Sequence, residues 1–162
     1  MQVTAVYPGT FDPFTNGHSD LMRRALRIFP RLVLAVARNP QKSPLFTLEQ
    51  RLAIVRQATA DLPNLEIDTF DMLTVDYVRS KGAQVIVRGV RAVSDFEFEF
   101  AMALMNRKIS EDIETVFLMP NQSYTYLSSR LVKEVALLGG NVDDLVPSLA
   151  ATLLKEKASQ PR

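Results

Sequence analysis

Short apolar runs and amphipathic stretches alternate along the chain from end to end. Residues 3–7, 32–37, 65–70, 85–87 and 115–119 read as five short strands. Between them the spacing turns helical. Residues 18–29 place Leu21, Ala25 and Ile28 on one face, and a helix opening at Thr47 carries the stripe Leu48, Leu52 and Val55. Further helices are expected over 73–81, 94–108 and 128–138. A weaker one is expected over 143–157, running into a polar tail that should be disordered from about 158. Two helix starts carry Ser or Thr followed three residues later by Glu or Gln: Thr47 with Gln50, and Ser94 with Glu97. That spacing predicts a capping box, in which the two side chains satisfy free backbone N–H groups of the first turn.

Strands that alternate with helices, and are apolar rather than alternating, pack as a parallel sheet covered on each side. No linker, repeat or low-complexity block interrupts the pattern. It therefore predicts a single α/β domain over residues 1–162: doubly wound and Rossmann-like, with a parallel five-stranded sheet and helices on both faces. In open sheets of this kind, ligands bind beyond the carboxyl ends of the strands. The unusual residues collect there. They fall at 10–18 after the first strand, 38–44 after the second, 88–91 after the fourth and 121–129 after the fifth.

Composition narrows the chemistry. Of the 162 residues 47% are hydrophobic and 23% charged, an ordinary globular balance. A formal net charge of +1 supplies no global field, so neither nucleic acid nor membrane is expected as a partner. Any anion site must be local, built from convergent cations and backbone N–H groups. The absence of cysteine excludes disulfides, thiolate metal sites and a cysteine nucleophile. The first residues lack the basic head and apolar run of a secretory signal. No apolar stretch approaches the roughly 20 residues needed to cross a bilayer. A cytoplasmic protein is expected.

Four loop clusters carry candidate chemistry. The run from Gly9 to His18 has glycines that allow close backbone approach and feeds a helix whose first N–H groups are free, a ready phosphate site. His18, the one histidine, enters that helix where its ring can donate to a phosphoryl oxygen. Lys42 is a flexible point charge able to follow a phosphate, and taken alone it reads equally as a solvated loop cation. Arg88 and Arg91 flank Gly89 at a strand end and could grip phosphate oxygens with two-pronged forks, or could pair with Asp95 or Glu97. Ser128 and Ser129 open a helix, offering hydroxyls and free N–H groups to phosphate, although plain N-capping needs only one serine.

The stretch Thr15-Asn16-Gly17-His18 resembles the motif of the nucleotidylyltransferase superfamily: His or Thr, any residue, Gly, His. The runs YPGTFDPFTNGH, IVRGVRAVSDFEFE and YTYLSSRLVKE are similar to its bacterial branch that adenylylates 4′-phosphopantetheine in coenzyme A synthesis, and the likeness covers residues 6–135. The resemblance implies that ATP meets Thr10, Phe11, His18, Gly89, Val90, Arg91 and Glu99, and then Tyr124, Thr125, Tyr126, Leu127, Ser128, Ser129 and Arg130. It implies that the acceptor meets Thr10, Lys42, Thr74 and Arg88, with catalysis resting on Thr10, His18 and Lys42. Mg²⁺ would be held mainly by the ATP phosphates, and dephospho-CoA and pyrophosphate would be the products. Coenzyme A is a candidate feedback ligand. The family's hexameric habit implies a homohexamer, with which the alternately spaced Phe96, Phe98 and Phe100 are compatible. Arg130 stands where many relatives have serine, and Thr74 where they usually have an apolar residue.

The named site residues are mostly donors or cations, and none is a nucleophile with a base beside it. Such a set suits direct in-line transfer without a covalent intermediate, the protein positioning reactants and neutralising charge. Rival expectations are another nucleotidylyltransferase, acting on nicotinamide mononucleotide, glycerol phosphate or choline phosphate, and a nucleotide-binding module without catalysis.

Overall fold

The computed structural model describes residues 3–38 and 43–159, apart from the side chains of Val93 and Ser94. Five strands, β1 (Thr4–Gly9), β2 (Arg31–Ala37), β3 (Leu65–Phe70), β4 (Val85–Gly89) and β5 (Glu114–Leu118), form one parallel sheet in the order β3-β2-β1-β4-β5. Six helices are interspersed or follow: α1 (Asn16–Ile28), α2 (Leu48–Ala58), α3 (Thr74–Ser80), α4 (Val93–Ile109), α5 (Ser129–Leu137) and α6 (Ser148–Ser159). The chain winds outward from β1 through β2 to β3, then crosses to β4 on the other side of β1. The connections leaving β1 and β4 therefore run in opposite directions and open a crevice at their carboxyl ends.

Side chains alternate between the faces of a strand, so register decides what each helix covers. Tyr7 lies beside Leu34, and Val6 beside both Val33 and Ile86. Ala5, Tyr7, Leu34 and Val87 join Leu21 and Met22 of α1, Ile54 of α2, Val132 of α5 and Leu154 of α6 in the larger core. On the opposite face Val6, Val33, Ala35 and Ile86 pack on Val75, Tyr77 and Val78 of α3. That second layer is thin. α4 packs against α3 and β5, with Phe96 edge-on to Phe117 at 6.2 Å, yet none of its described side chains is buried. Phe98 and Met105 are 63% and 57% exposed.

The capping box at Thr47 forms as expected: its hydroxyl accepts from the Gln50 N–H, and the Gln50 side chain accepts from the Thr47 N–H. At the second expected box the helix start lies elsewhere. α4 already begins at Val93, with Ala92 as an N-cap that has no side-chain bond. The Arg91 guanidinium pairs with Asp95 across this first turn, and the N–H groups of Asp95 and Phe96 both donate to the Ala92 carbonyl, so the helix opens one residue before the expected start at 94. The helix expected from 143 begins instead at Ser148. Pro147 disfavours helical backbone at Val146, so a helix from 143 cannot run through that residue. α6 continues through Ser159.

Candidate active site

The start of α1 explains the spacing Thr15-Asn16-Gly17-His18. Thr15 is the N-cap, and its hydroxyl accepts from the His18 N–H at 3.4 Å. In return His18 Nδ1 accepts the Thr15 backbone N–H at 3.0 Å. This is a capping box with histidine in the place of glutamate or glutamine. A nitrogen that accepts an N–H carries its lone pair there, so the proton of the neutral ring sits on Nε2. Phe11 stands edge-on to the imidazole at 5.2 Å, and Phe14 lies tilted beside it at 5.6 Å. Burial, and after it the charges of Arg91 and Arg88, push the His18 pKa down to about 3. The ring is thus a neutral Nε2–H donor at neutral pH.

The loop before α1 is held by buried polar groups. Phe11 adopts φ +50°, and its ring folds over Gly9, where a Cβ would come within 2.8 Å of it. That left-handed backbone is strained for a bulky residue and needs the glycine beneath it. Asp12, 5% exposed, accepts from Leu45 N–H and Phe46 N–H at 2.9 Å each and from Lys133 Nζ at 2.6 Å. Arg51 of α2 donates to the carbonyls of Thr10 and Ala37. The loops after β1 and β2 are therefore joined from beneath.

Both arginines beyond β4 are engaged within the chain. Arg88 forks onto Glu99 at 2.7 and 2.5 Å and donates to the Pro8 carbonyl at 2.9 Å. Burial opposes its charge, but the Glu99 carboxylate outweighs burial and the pKa rises. Arg91 pairs with Asp95 at 2.9 Å and donates to the Leu127 carbonyl. Pairing thus falls partly on the expected carboxylates: Asp95 takes Arg91, while Arg88 takes Glu99 rather than Glu97. At α5 the Ser128 hydroxyl accepts the Leu131 N–H, ordinary N-capping. The Ser129 hydroxyl donates to the Pro13 carbonyl at 2.8 Å, tying α5 to the first loop.

Two cavities open at this edge of the sheet. One, of about 490 Å³, is lined by Thr10, Phe11, Gly17, His18, Arg91 and Lys133, and by Tyr124, Leu127, Ser128 and Ser129. The other, of about 880 Å³, is lined by Arg38, Phe70, Leu73, Thr74, Met102 and Asn106. Pro8, Gly9, Thr10, Arg88 and Glu99 line both, so Thr10 and the Arg88–Glu99 pair stand where they meet. Gly89 borders the first cavity, packed on Leu21, where a Cβ would fall 2.4 Å from Cδ1. Val90, Thr125, Tyr126 and Arg130 line neither. The Val90 N–H extends the sheet by bonding the Leu118 carbonyl, the Thr125 hydroxyl bonds the Gln122 carbonyl, and Tyr126 and Arg130 are exposed. Lys42 lies outside the described residues.

Sequence reasoning overlooked Asp12, Arg51 and Lys133. Arg51 and Lys133 sit in amphipathic helices, where a lone cation reads as solvated, and neither spacing carried a signal. Asp12 lay in the loop already singled out, but a carboxylate among phosphate donors pointed to nothing until its partners were seen.

Known proteins resemble this chain in sequence and in fold. The cytidylyltransferase-like family model matches residues 6–135, which places the chain in a class of nucleotide-transferring α/β proteins. A phosphopantetheine adenylyltransferase of Alkalilimnicola ehrlichii is 54% identical, covering 99% of this chain and 94% of its own length. Those of Methylococcus capsulatus and Carboxydothermus hydrogenoformans are also 54% identical, covering 97% and 94% of this chain and the same shares of their own. The chain belongs to the phosphopantetheine adenylyltransferase family. A solved structure assigned to a nicotinate-nucleotide adenylyltransferase of Vibrio parahaemolyticus superposes with a TM-score of 0.71 at 17% identity, covering 98% of this chain and 94% of that one. It shares the fold.

Proposed function

We propose that this chain transfers the adenylyl group of ATP to 4′-phosphopantetheine, giving dephospho-CoA and pyrophosphate in coenzyme A synthesis. The observation that carries the reading is the meeting of two unlike cavities at Thr10. The first, lined by N–H donors, hydroxyls and cations, suits a nucleotide and its phosphates. The second, with Phe70, Met72, Leu73, Phe98 and Met102 in its walls, suits a flexible arm that ends in phosphate.

In the proposed step an acceptor phosphate oxygen attacks the α-phosphorus in line. A P–O bond forms there, the bond to the bridging oxygen breaks, and its electron pair leaves on pyrophosphate. A phosphate monoester is largely ionised at neutral pH, its second pKa being about 6, so no general base is required. Thr10 and Lys42 orient the acceptor phosphate, with Arg88 and Thr74 beside its path. The His18 Nε2–H donates to the α-phosphoryl oxygens as charge grows on them, and its capping bond to Thr15 fixes the ring beforehand. Phe11 shields that contact, while Arg91 and the start of α5 at Ser128 and Ser129 face the leaving phosphates. Gly89, Val90, Glu99 and residues 124–127, with Arg130, complete the proposed ATP contacts.

Among the described residues no group of three or more His, Asp or Glu is placed to hold a metal. Asp12 and Glu99, the carboxylates lining the nucleotide cavity, are engaged by Lys133 and Arg88. This donor set fits Mg²⁺ carried by the nucleotide itself, where it would neutralise charge on the β and γ oxygens.

The exposed apolar surface of α4 supports assembly. Phe96, Phe100 and Met105 are 44%, 47% and 57% exposed on a helix that covers little of its own core, and a second copy of the chain would bury them. A homohexamer is the proposed state. Coenzyme A, which contains the same pantetheine arm, is a proposed feedback ligand of the larger cavity. No helix among the described residues is long and apolar enough to cross a membrane. Cytoplasmic residence is proposed, with neither nucleic acid nor membrane as a partner.

The experiment is pyrophosphate release from ATP and Mg²⁺ with each candidate acceptor. Release with 4′-phosphopantetheine, and none with nicotinamide mononucleotide or glycerol phosphate, is expected. Release with another acceptor alone, or with none, overturns the assignment.

A further inference from the structure

Arg51 is 1% exposed, a guanidinium inside the protein. It lies on α2, beneath the carboxyl ends of β1 and β2. Nη1 donates to the Thr10 carbonyl at 2.8 Å and the Ala37 carbonyl at 2.7 Å, and Nη2 donates to the Arg38 carbonyl at 3.2 Å. Among the described residues no carboxylate accepts a hydrogen bond from it, and Nε is buried without a partner. Asp12 and Glu49 favour its charge only through space, and burial pushes its pKa below the ordinary arginine value.

Burying such a group costs free energy that a methionine or leucine of similar bulk would avoid. What the guanidinium supplies instead is geometry: a planar fork holding three carbonyls, drawn from two strand ends, around one point. Thr10, Ala37 and Arg38 all line the larger cavity. The far end of the same loop is pinned separately, because Asp12 accepts the N–H groups of Leu45 and Phe46.

We propose that Arg51 is a positioning residue for the acceptor, setting the spacing between Thr10 and Arg38 in the wall of the larger cavity. This rests on the reading in which that cavity takes the acceptor. The nucleotide side has its own anchors: His18 is fixed by Thr15, and Arg91 by Asp95 and Leu127. Ala37 and Arg38 line the larger cavity alone, while Thr10 lines both, so loss of the fork weakens the acceptor more than the nucleotide, a selectivity that simple core damage does not produce.

The test uses the full chain with Arg51→Lys, which keeps the charge and loses the fork, and Arg51→Met, which keeps the bulk alone. Steady-state kinetics with 4′-phosphopantetheine, equilibrium dialysis of ATP without acceptor, and thermal melting are measured together. The expected result for Arg51→Lys is a fall of about tenfold or more in kcat/KM for the acceptor, with the ATP dissociation constant held within about twofold. Arg51→Met should show the same selectivity, at least as strongly. Unchanged acceptor kinetics, equal losses for both substrates, or failure of both variants to fold would assign Arg51 to the core and overturn the proposal. A wild-type protein inactive with 4′-phosphopantetheine sinks the functional reading itself. An active wild type with equally active variants sinks the inference alone.

Discussion

His18 Nδ1 accepts the Thr15 backbone N–H at 3.0 Å, so the residue proposed to stabilise the transition state also closes the first turn of its own helix. These two duties can be separated. Glutamine retains a side-chain acceptor for the box but does not carry the imidazole Nε2–H. His18→Ala is expected to cost about 1 kcal/mol of stability through the lost cap. It should also lose about 10²–10³ in kcat, the usual consequence of removing one transition-state donor. His18→Gln should recover the stability and not the turnover. Urea unfolding and steady-state kinetics on both variants check this, and ATP affinity should change little in either.

The depressed pKa of His18 predicts a pH dependence of stability. Folded, the ring titrates near 3; unfolded, a histidine titrates near its ordinary value of about 6.5. Between those values the unfolded chain binds the extra proton, so stability rises with pH. The contribution is complete above about pH 6.5 and is eroded as pH falls toward 3. Carboxylates titrate in the same window, so the useful quantity is the difference between wild type and His18→Gln. Between pH 7 and pH 5, wild type should lose more stability than the variant. Equal losses would mean that the ring ionises freely in the fold.

Glu99→Gln should destabilise the protein by about 2 kcal/mol, since it removes a charged partner from a two-pronged bond to a largely buried guanidinium. Arg88→Lys should cost a similar amount, because an ammonium cannot span both oxygens while reaching the Pro8 carbonyl. Chemical denaturation of each single variant and of the double variant measures the coupling. A double variant as damaged as the sum of the singles would show that the pair contributes nothing as a pair.

The outer surface of α4 predicts an effect on assembly. Phe100→Glu or Met105→Glu places a charge on the exposed apolar surface of α4, which a monomer tolerates and an interface does not. Sedimentation at matched concentration should show smaller species for the variants than for the wild type. Identical profiles would remove α4 from the contact.

Much of this was legible in advance because strands and helices alternate here with clear periods. All five strands were anticipated, and the carboxyl ends of β1 and β4 do open onto the two cavities. What escaped notice was of two kinds. Ser94 and Glu97 satisfy the capping pattern, but the Arg91–Asp95 pair in the adjacent turn accompanies a start at Val93, a competition that spacing alone does not reveal. Arg51 looked like one more solvated charge on α2. Its interior position depends on carbonyls from β1 and β2 that only the folded sheet brings within reach. The identity of the donors was written in the sequence, while their anchoring was not.

One rod of 17 residues, α4, carries Glu99 into the wall shared by both cavities and turns Phe100 and Met105 outward. Its backbone hydrogen bonds make a helix move as a unit, so a displacement of the outer face would carry Glu99 and the fork of Arg88 with it. A neighbour packed on those side chains would thereby bear on the wall between the two cavities.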